Sequence, residues 1–204
     1  ELARRGMAPG ADVVDRAGRG LRFLLERRRR SPGGLIELCH PWESGCDDSP
    51  RWDDVLDEPW TSQRWFAAKG DLLAGIERSP EGSPLRNPAF PVASVGFSAL
   101  VAFNALELAS FTADERLAGG AQELVAAIDA RWDPQLATWV DDGPTAIGSG
   151  SVRTLDGLLP LLVSPRRVAF DELVDPAALG APCGPRGVHA AEPAYDPRRY
   201  WRGP

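Results

Sequence analysis

The sequence predicts an all-α protein, and three observations on its 204 residues support that fold class. Apolar residues recur at spacings of three and four through most of the chain, which is the spacing of one face of an α-helix. Proline and glycine interrupt these patterns repeatedly, as they do in loops that join successive helices. No stretch shows the order of strand, helix and strand that a parallel sheet requires.

The first half of the chain contains two predicted helices. Residues 12–30 form the first, with an apolar face at helical spacing and the arginines 27–30 at its C-terminal end. These arginines are expected to balance the negative end of the helix dipole rather than to bind a polyanion. The second helix is predicted from Thr61 to Arg78, and the proline-rich segment 79–91 after it is predicted to be a surface connection. Its predicted inner stripe consists of Trp65, Phe66, Leu72, Leu73 and Ile76.

Two more helices follow at the centre of the chain. Residues 92–110 form one of them, because their apolar residues repeat at three and four. Thr112 and Glu115 have the spacing of a capping box at the start of the next. The apolar stripe of that next helix consists of Leu117, Ala121, Leu124, Val125, Ile128 and Trp132.

The last part of the chain is richer in loops. The stretch around Trp139, up to Gly150, is expected to be a loop or a short hairpin. A helix over residues 155–162 is expected to be disturbed by Pro160. Ser164 and Pro165 then have the pattern of a cap and first helical turn for a short helix that ends near residue 175.

Composition and charge narrow the classes of function. Hydrophobic residues make up 43% of the chain and charged residues 25%, which is ordinary for a single globular domain. The net charge of −6 disfavours nucleic acid as a partner, because phosphate binding depends on concentrated lysine and arginine. No run of 18 apolar residues is present, so a membrane is not an expected partner either. These patterns leave the oligomeric state open.

The cysteines argue against a disulfide framework and against structural zinc. They stand at positions 39, 46 and 183, are odd in number and form no Cys-x-x-Cys pair. Free thiols in a reducing cytoplasm are the simpler interpretation. Cys39, His40 and Cys46 are close in sequence and could suggest a metal site, but His189 is the only other histidine. We therefore expect neither a metal nor a cofactor.

The segment from His40 to Asp54 differs from every predicted helix. It holds five carboxylates and two tryptophans in fifteen positions, and Pro41, Gly45 and Pro50 interrupt it as in a shaped loop. Aromatic rings can stack on the carbon-bound hydrogens of a pyranose, carboxylates and arginine can bind its hydroxyls, and one carboxyl can donate a proton. These parts suit a sugar site, and the alternative is a solvated acidic turn between helices.

This segment, which we call the signature loop (residues 40–54), resembles the signature of glycoside hydrolase family 63 and its mannosylglycerate and glucosylglycerate hydrolase relatives. The typical run there is His-Pro-Trp-Glu-Ser-Gly-x-Asp-Asn-Ser-Pro-x-Trp-Asp, so this chain differs mainly in having Asp48 where the family usually has Asn. Two further blocks resemble the family, Ala-Pro-Cys-Gly-Pro-Arg-Gly-Val at 181–188 and Tyr-Trp-Arg-Gly-Pro at 200–204. Three blocks in the family's order make the resemblance specific.

The resemblance implies a fold that composition alone does not select among all-α architectures. The catalytic domain of the family is an (α/α)6 toroid, in which loops at one end of the helical hairpins surround a sugar pocket. The chain contains fewer predicted helices than the twelve of a closed toroid. Residues 1–204 are therefore expected to form a single partial catalytic domain, the half that bears the acid, truncated at both ends.

The resemblance also implies a mechanism, the hydrolysis of α-glycosidic bonds with inversion. That reaction needs a carboxylic acid beside the leaving oxygen and a carboxylate base on the opposite face of the sugar. Asp47 matches the general acid of the family. Glu43, Asp48 and Asp53 are expected to add negative charge that favours its protonated form, although Asp48 could instead compete for the proton. The family's base lies beyond the block at 200–204, and no residue of this chain matches it.

The same resemblance implies the residues that hold the substrate. Trp42 and Trp201 are expected to flank the sugar, whereas Trp52 is as readily a packing residue as a ligand residue. The expected contacts to hydroxyls or to the acceptor come from Glu43, Tyr200 and Arg202. The substrate itself stays open among mannosylglycerate, glucosylglycerate, glucosylglycerol and an α-linked oligosaccharide.

Two alternatives from other classes accompany this hypothesis. A non-catalytic carbohydrate-binding or helical interaction module would retain the aromatic loop but would not need the carboxyl of Asp47. A hydrolase with a cysteine nucleophile would use Cys39 or Cys46 with His40. That arrangement is disfavoured, because adjacent residues on a proline-bounded loop rarely reach the geometry of nucleophile and base.

Overall fold

The computed structural model describes residues 5–7, 9–55, 61–143 and 151–203. Helices dominate these ranges, which confirms the predicted all-α class, and the strands among them form two short antiparallel hairpins. The elements in chain order are α1 (Ala11–Glu26), 3₁₀ helices at Pro41–Ser44 and Pro50–Val55, α2 (Ser62–Ala74), β1 (Glu77–Arg78), β2 (Pro84–Arg86), α3 (Val95–Thr112), α4 (Glu115–Asp129), β3 (Trp132–Asp133), β4 (Thr138–Trp139), a 3₁₀ helix at Asp156–Leu162, and α5 (Arg167–Val174).

Helix α3 lies at the centre of the molecule and packs against α1, α4 and the 3₁₀ helix at Asp156–Leu162. Many of its buried side chains are alanines, whose small size lets the neighbouring helices approach closely. By length and composition α3 is the one helix in the described ranges that could cross a membrane, but a soluble core helix passes the same test. The predicted stripe of α4 is buried in the same core through Leu117, Ala121, Leu124 and Ile128.

The predicted capping box between α3 and α4 is wrong. Thr112 still belongs to the last turn of α3, and Ala113 adopts a left-handed conformation with φ of 56° that ends the helix. Asp114 then caps α4, since its Oδ1 accepts a hydrogen bond from the amide of Leu117 at 3.0 Å. The cap therefore lies one residue before Glu115, at the first position after the left-handed turn.

Helix α2 begins as predicted but ends earlier. Thr61 is its N-cap, and the hydroxyl of Thr61 accepts a hydrogen bond from the amide of Arg64 at 3.2 Å. The helix ends at Ala74, and the last predicted turn is instead strand β1, which pairs with β2 inside the predicted surface connection. The hairpin was missed because strands of two and three residues carry no readable alternation.

The predicted inner stripe of α2 is only partly correct. Trp65 and Leu72 are buried, but Phe66 is 74% exposed and Leu73 is 41% exposed. The third buried side chain of the helix is Lys69, which stands four residues after Trp65 and three before Leu72. The charged Lys69 therefore lies on the inner face of α2, and the apolar Phe66 and Leu73 lie outside it.

The ends of α1 and α5 also depart from the sequence prediction. Helix α1 ends at Glu26 rather than residue 30. Ser164 does not cap α5, since that helix begins at Arg167 without a side-chain cap and the hydroxyl of Ser164 donates to Asp129 at 2.7 Å. The hairpin predicted around Trp139 is confirmed by β3 and β4. Part of the stretch predicted there, residues 144–150, lies outside the described residues.

Candidate active site

The signature loop consists of two short 3₁₀ helices, at Pro41–Ser44 and Pro50–Val55. His40 starts the first, because its Nδ1 accepts a hydrogen bond from the amide of Trp42 at 3.2 Å. Gly45 ends it in the left-handed region with φ of 71°, where a residue without a side chain is least strained. The loop is therefore shaped by its own local chemistry.

Helix α2 holds this loop by hydrogen bonds to its backbone and to its first residue. The indole N–H of Trp65 donates to the carbonyl of Asp47 at 2.9 Å. His40 Nε2 lies 2.8 Å from the carbonyl of Lys69, and it donates this bond because Nδ1 already accepts one. Trp52 is fully buried against Phe90, so the structure gives it a packing role. Helix α2 therefore fixes the backbone of Asp47 through Trp65.

Each of the three carboxylates predicted to surround Asp47 with negative charge is paired with a cation. Glu43 binds Arg28 through two bonds of 2.9 and 2.6 Å. Asp48 pairs with Lys69 at 2.7 Å, and Asp53 pairs with Arg202 through bonds of 2.8 and 2.5 Å. The expected excess of negative charge is therefore largely cancelled. Asp47 itself has no hydrogen bond or ion pair to its carboxylate within the described residues.

Arg28 is the site residue that sequence reasoning missed most clearly. It lies in the basic run 27–30, which was expected to act on the helix dipole. Its side chain is only 2% exposed, and it donates to the carbonyls of Pro84 and Glu37 as well as to Glu43. Arg30 behaves as predicted, since its guanidinium donates to the carbonyl of Leu25 near the end of α1. No local signal separates the two arginines.

Glu43 was expected to contact substrate, and the structure gives it other partners. Its Oε2 accepts a hydrogen bond from the amide of Cys39 at 2.7 Å in addition to the bond from Arg28. Both carboxylate oxygens are therefore occupied by protein donors. Glu43 fixes the start of the signature loop to the segment that follows α1.

The structure brings the three resembling blocks together. Arg202 is buried and joins the block at residues 200–204 to the signature loop through Asp53, across 149 positions of sequence. The amide of Gly187 donates to the carbonyl of Gly203 at 2.7 Å, so the block at 181–188 lies against the same segment. A Cβ on Gly187 would lie 2.7 Å from the carbonyl oxygen of Trp201, which explains why glycine is needed there. Pro204 lies outside the described residues.

The predicted aromatic residues differ in exposure. Trp42 is 50% exposed and its ring lies 4.4 Å from that of His40. Tyr200 is 81% exposed and forms an edge contact with the half-buried Trp201 at 4.7 Å. Both pairs leave ring surface available to a ligand. Arg202, in contrast, is directed into its ion pair with Asp53.

An open cleft of about 580 Å³ lies beside that ion pair, and this size is within the range of small-ligand sites. It is lined by residues 193–199 and Arg202. Asp47 and Trp42 are not among the lining residues. The cleft therefore adjoins the block at 200–204, and its shape does not by itself identify the position of the proposed acid.

The surroundings of Cys39 and Cys46 argue against the cysteine-nucleophile hypothesis. Burial raises the pKa of Cys39 to about 11, and burial together with Asp156 raises the pKa of Cys46 further. Both groups are therefore thiols rather than thiolates at neutral pH. Both ring nitrogens of His40 already form hydrogen bonds, so neither is free to act as the base for a cysteine.

Among the residues that the structure describes, no three His, Cys, Asp or Glu side chains are grouped to hold a metal ion.

A family model of the mannosylglycerate hydrolase MGH1-like glycoside hydrolase domain matches residues 6–204. The mannosylglycerate hydrolase of Thermus thermophilus is 26% identical over 221 residues, which cover 90% of this chain and 52% of that enzyme. The glucosylglycerate hydrolase of Mycolicibacterium hassiacum is 56% identical over 34 residues, which cover 17% of this chain and 8% of that enzyme.

The fold comparison agrees with these relatives. A crystal structure of a family 63 mannosylglycerate hydrolase from Thermus thermophilus, in complex with glucose, has a TM-score of 0.73 and 26% sequence identity. It is matched over 96% of this chain and 54% of that chain, so the chain spans about half the length of that enzyme. The helices described here thus correspond to part of a helical toroid, as predicted. With the family model spanning nearly all its residues, this chain belongs to the MGH1-like glycoside hydrolases.

Proposed function

We propose that residues 1–204 are the acid-bearing part of an inverting α-glycosidase that acts on a small glycoside such as mannosylglycerate or glucosylglycerate. The observation that carries this proposal is the arrangement of charge on the signature loop. Three of its carboxylates are paired with cations, whereas the carboxylate of Asp47 has no partner within the described residues. A carboxyl that is fixed through its backbone and engaged by no described side chain is available to meet the glycosidic oxygen of a bound substrate.

In the proposed reaction Asp47 donates its proton to the glycosidic oxygen as the bond from that oxygen to the anomeric carbon breaks. A water molecule attacks the opposite face of the sugar and gives its proton to a carboxylate base, which the family resemblance implies to follow the block at 200–204. The exposed rings of Trp42 and Tyr200 offer surfaces for the sugar, and Trp201 lies beside Tyr200. We place the protein in the cytoplasm, where its three free thiols would stay reduced.

Replacing Asp47 tests the proposed acid. In the complete protein, Asp47→Asn should lower kcat by roughly 10²- to 10⁴-fold, the usual contribution of general acid catalysis, while sugar affinity changes only a few fold. The activity is measured on a panel of mannosyl- and glucosylglycerate, glucosylglycerol and α-linked oligosaccharides. Asp54→Asn is the matched control, because Asp54 is an exposed carboxylate of the same loop. Turnover near the wild-type rate in Asp47→Asn would contradict the assignment.

The same panel separates the enzyme from a binding module. A carbohydrate-binding module would bind one of these glycosides without cleaving it, and Asp47→Asn would then change nothing. Cleavage by the wild-type protein, lost in the variant, excludes that alternative.

The proposed inversion has its own measurement. Proton NMR of the first product, recorded before mutarotation, should show the β-anomer from an α-glycoside. A single displacement requires this outcome, since water attacks from the face opposite to the leaving group. The α-anomer as first product would show a double displacement and would exclude the proposed route.

A further inference from the structure

The chain contains one lysine among its 23 basic residues, and the other 22 are arginines. That lysine, Lys69, is not on the surface, where lysine is usually found, but lies on the buried face of α2 with 7% of its surface exposed. A buried ammonium is costly unless it is paired and hydrogen-bonded. Its position is therefore set by a specific partner.

The partner of Lys69 is the neighbour of the proposed acid. The Nζ atom of Lys69 lies 2.7 Å from Oδ1 of Asp48, and the side chain of Asp48 is 38% exposed. The ammonium also lies 5.9 Å from the centre of the Trp65 ring, whose N–H holds the carbonyl of Asp47. The carbonyl of Lys69 accepts the bond from His40. One turn of α2 thus contacts the signature loop at its start and at the acid.

Charge explains why this pair matters to Asp47. A carboxylate at position 48 directly follows Asp47, so without a partner it would favour the protonated form of Asp47 or compete for its proton. An ammonium without Asp48 would have the opposite effect. Together the two side chains are neutral.

We propose that Lys69 is a positioning residue for the proposed acid: its ammonium neutralises Asp48 and fixes the segment that carries Asp47 against α2. This inference rests on the proposed function of Asp47. It assigns to Lys69 no contact with substrate.

The other titratable or charged groups near this pair are the same residues in every variant. They are His40, Cys46, and the buried Arg51 with its two carboxylates, Asp141 and Asp156. Cys46 is neutral, because burial raises the pKa of its thiol. Any shift between variants therefore reports the charge of Lys69 and Asp48.

The test compares Lys69→Met, Asp48→Asn and the double variant in the complete protein, through the pH dependence of kcat/KM. The alkaline limb of that profile reports loss of the acidic proton. Lys69→Met should move the limb upward and Asp48→Asn should move it downward, each by about 0.5 to 1 pH unit, as expected for one charge nearby at protein-surface dielectric. The double variant should return the limb close to the wild-type position.

Opposite shifts with recovery in the double variant are not expected from a merely structural role. Shifts in the same direction, or no shift, would overturn the proposal. Lys69→Arg keeps the charge, so its limb should stay at the wild-type position, and a shift as large as that of Lys69→Met would also overturn it. If Lys69→Met does not fold, Asp48→Asn and Lys69→Arg decide the result by themselves.

Asp47→Asn tests the proposed function separately. Full turnover in that variant refutes the assignment of Asp47 as the acid. An inactive Asp47→Asn, together with the absence of opposite shifts in the other variants, refutes only the role of Lys69.

Discussion

At the scale of single residues, Arg51 is the charged group buried most deeply in the signature loop. Its guanidinium is fully buried and lies 3.0 Å from Asp141 and 3.9 Å from Asp156. Burial raises the pKa of Asp141, although Arg51 opposes this effect. Oδ1 of Asp141 also accepts a hydrogen bond from the amide of Val95 at the start of α3. A Cβ on Gly157 would overlap the guanidinium, so any larger residue there would have to displace Arg51. These contacts attach the loop of the proposed acid to the central helix.

His189 is the second residue with an unusual electrostatic environment. Its Nδ1 accepts the amide of Ala191 at 3.0 Å, and its Nε2 lies 3.2 Å from Glu172 and 3.1 Å from Arg153. Burial and the charge of Arg153 lower the pKa of His189, while Glu172 opposes them. His189 lies between α5 and the segment that leads to residues 200–204.

The sign of this shift gives a prediction of stability against pH. Because the folded protein holds His189 below its usual pKa of 6.5, the unfolded chain takes up the proton first as the pH falls. The stability that neutral His189 contributes is therefore fully present above pH 6.5. It is lost as the pH falls from 6.5 to the lower pKa of His189 in the folded state. In the complete protein, His189→Gln should reduce this loss, measured as urea unfolding midpoints from pH 7.5 to pH 5. An equal pH slope in the variant and the wild type would contradict the assigned shift.

At the scale of elements, periodicity predicted the helices that bury a continuous apolar face. The stripe of α4 was predicted correctly from Leu117 to Ile128, because packing and pattern agree there, but its last predicted member, Trp132, lies in β3. The prediction for α2 wrongly placed Phe66 and Leu73 on the inner face and omitted Lys69. The inner face of α2 meets the charged signature loop, so the usual rule that charge faces outward does not hold at this contact.

The residues of the candidate site could be found from sequence, but their partners could not. Asp47 and its neighbours form one contiguous motif, whereas Arg28 follows the end of α1 and Lys69 lies in α2. The pair of Asp53 and Arg202 spans 149 positions, and no local pattern indicates such a contact. Ion pairs that fix a loop depend on the packed structure, so they appear only when the helices are in place.

At the scale of the whole molecule, the described residues form a buried apolar core and leave several large apolar side chains exposed at the surface. For a partial toroid the stripe predicted for α4 could be expected to stay exposed for want of a neighbouring helix, but Leu117 is 1% exposed and the stripe is buried. Exposed large apolar side chains lie on α2 and α5, and others lie at Val13 of α1, Phe111 of α3 and Leu162. On α5, Phe170 and Val174 lie one helical turn apart, and each is about half exposed. The relatives from Thermus thermophilus are about twice as long as the matched segment, so in a closed toroid further helices would have these edges to pack against.

We therefore expect the 204-residue chain, expressed alone, to be hydrolytically inactive and to be partly molten or aggregated. Each apolar side chain left unburied forgoes roughly 1.5 to 3 kcal/mol, and a few of them rival the 5 to 15 kcal/mol that stabilises a whole domain. Size-exclusion chromatography with light scattering and a thermal melt test the state, and the glycoside panel tests activity. Phe170→Ser with Val174→Thr is the informative variant, since it should increase the fraction of monomer without restoring hydrolysis. A soluble monomer of the unaltered chain that melts cooperatively and cleaves an α-glycoside would contradict this expectation, because it would require a base within residues 1–204 and a core that closes without further helices.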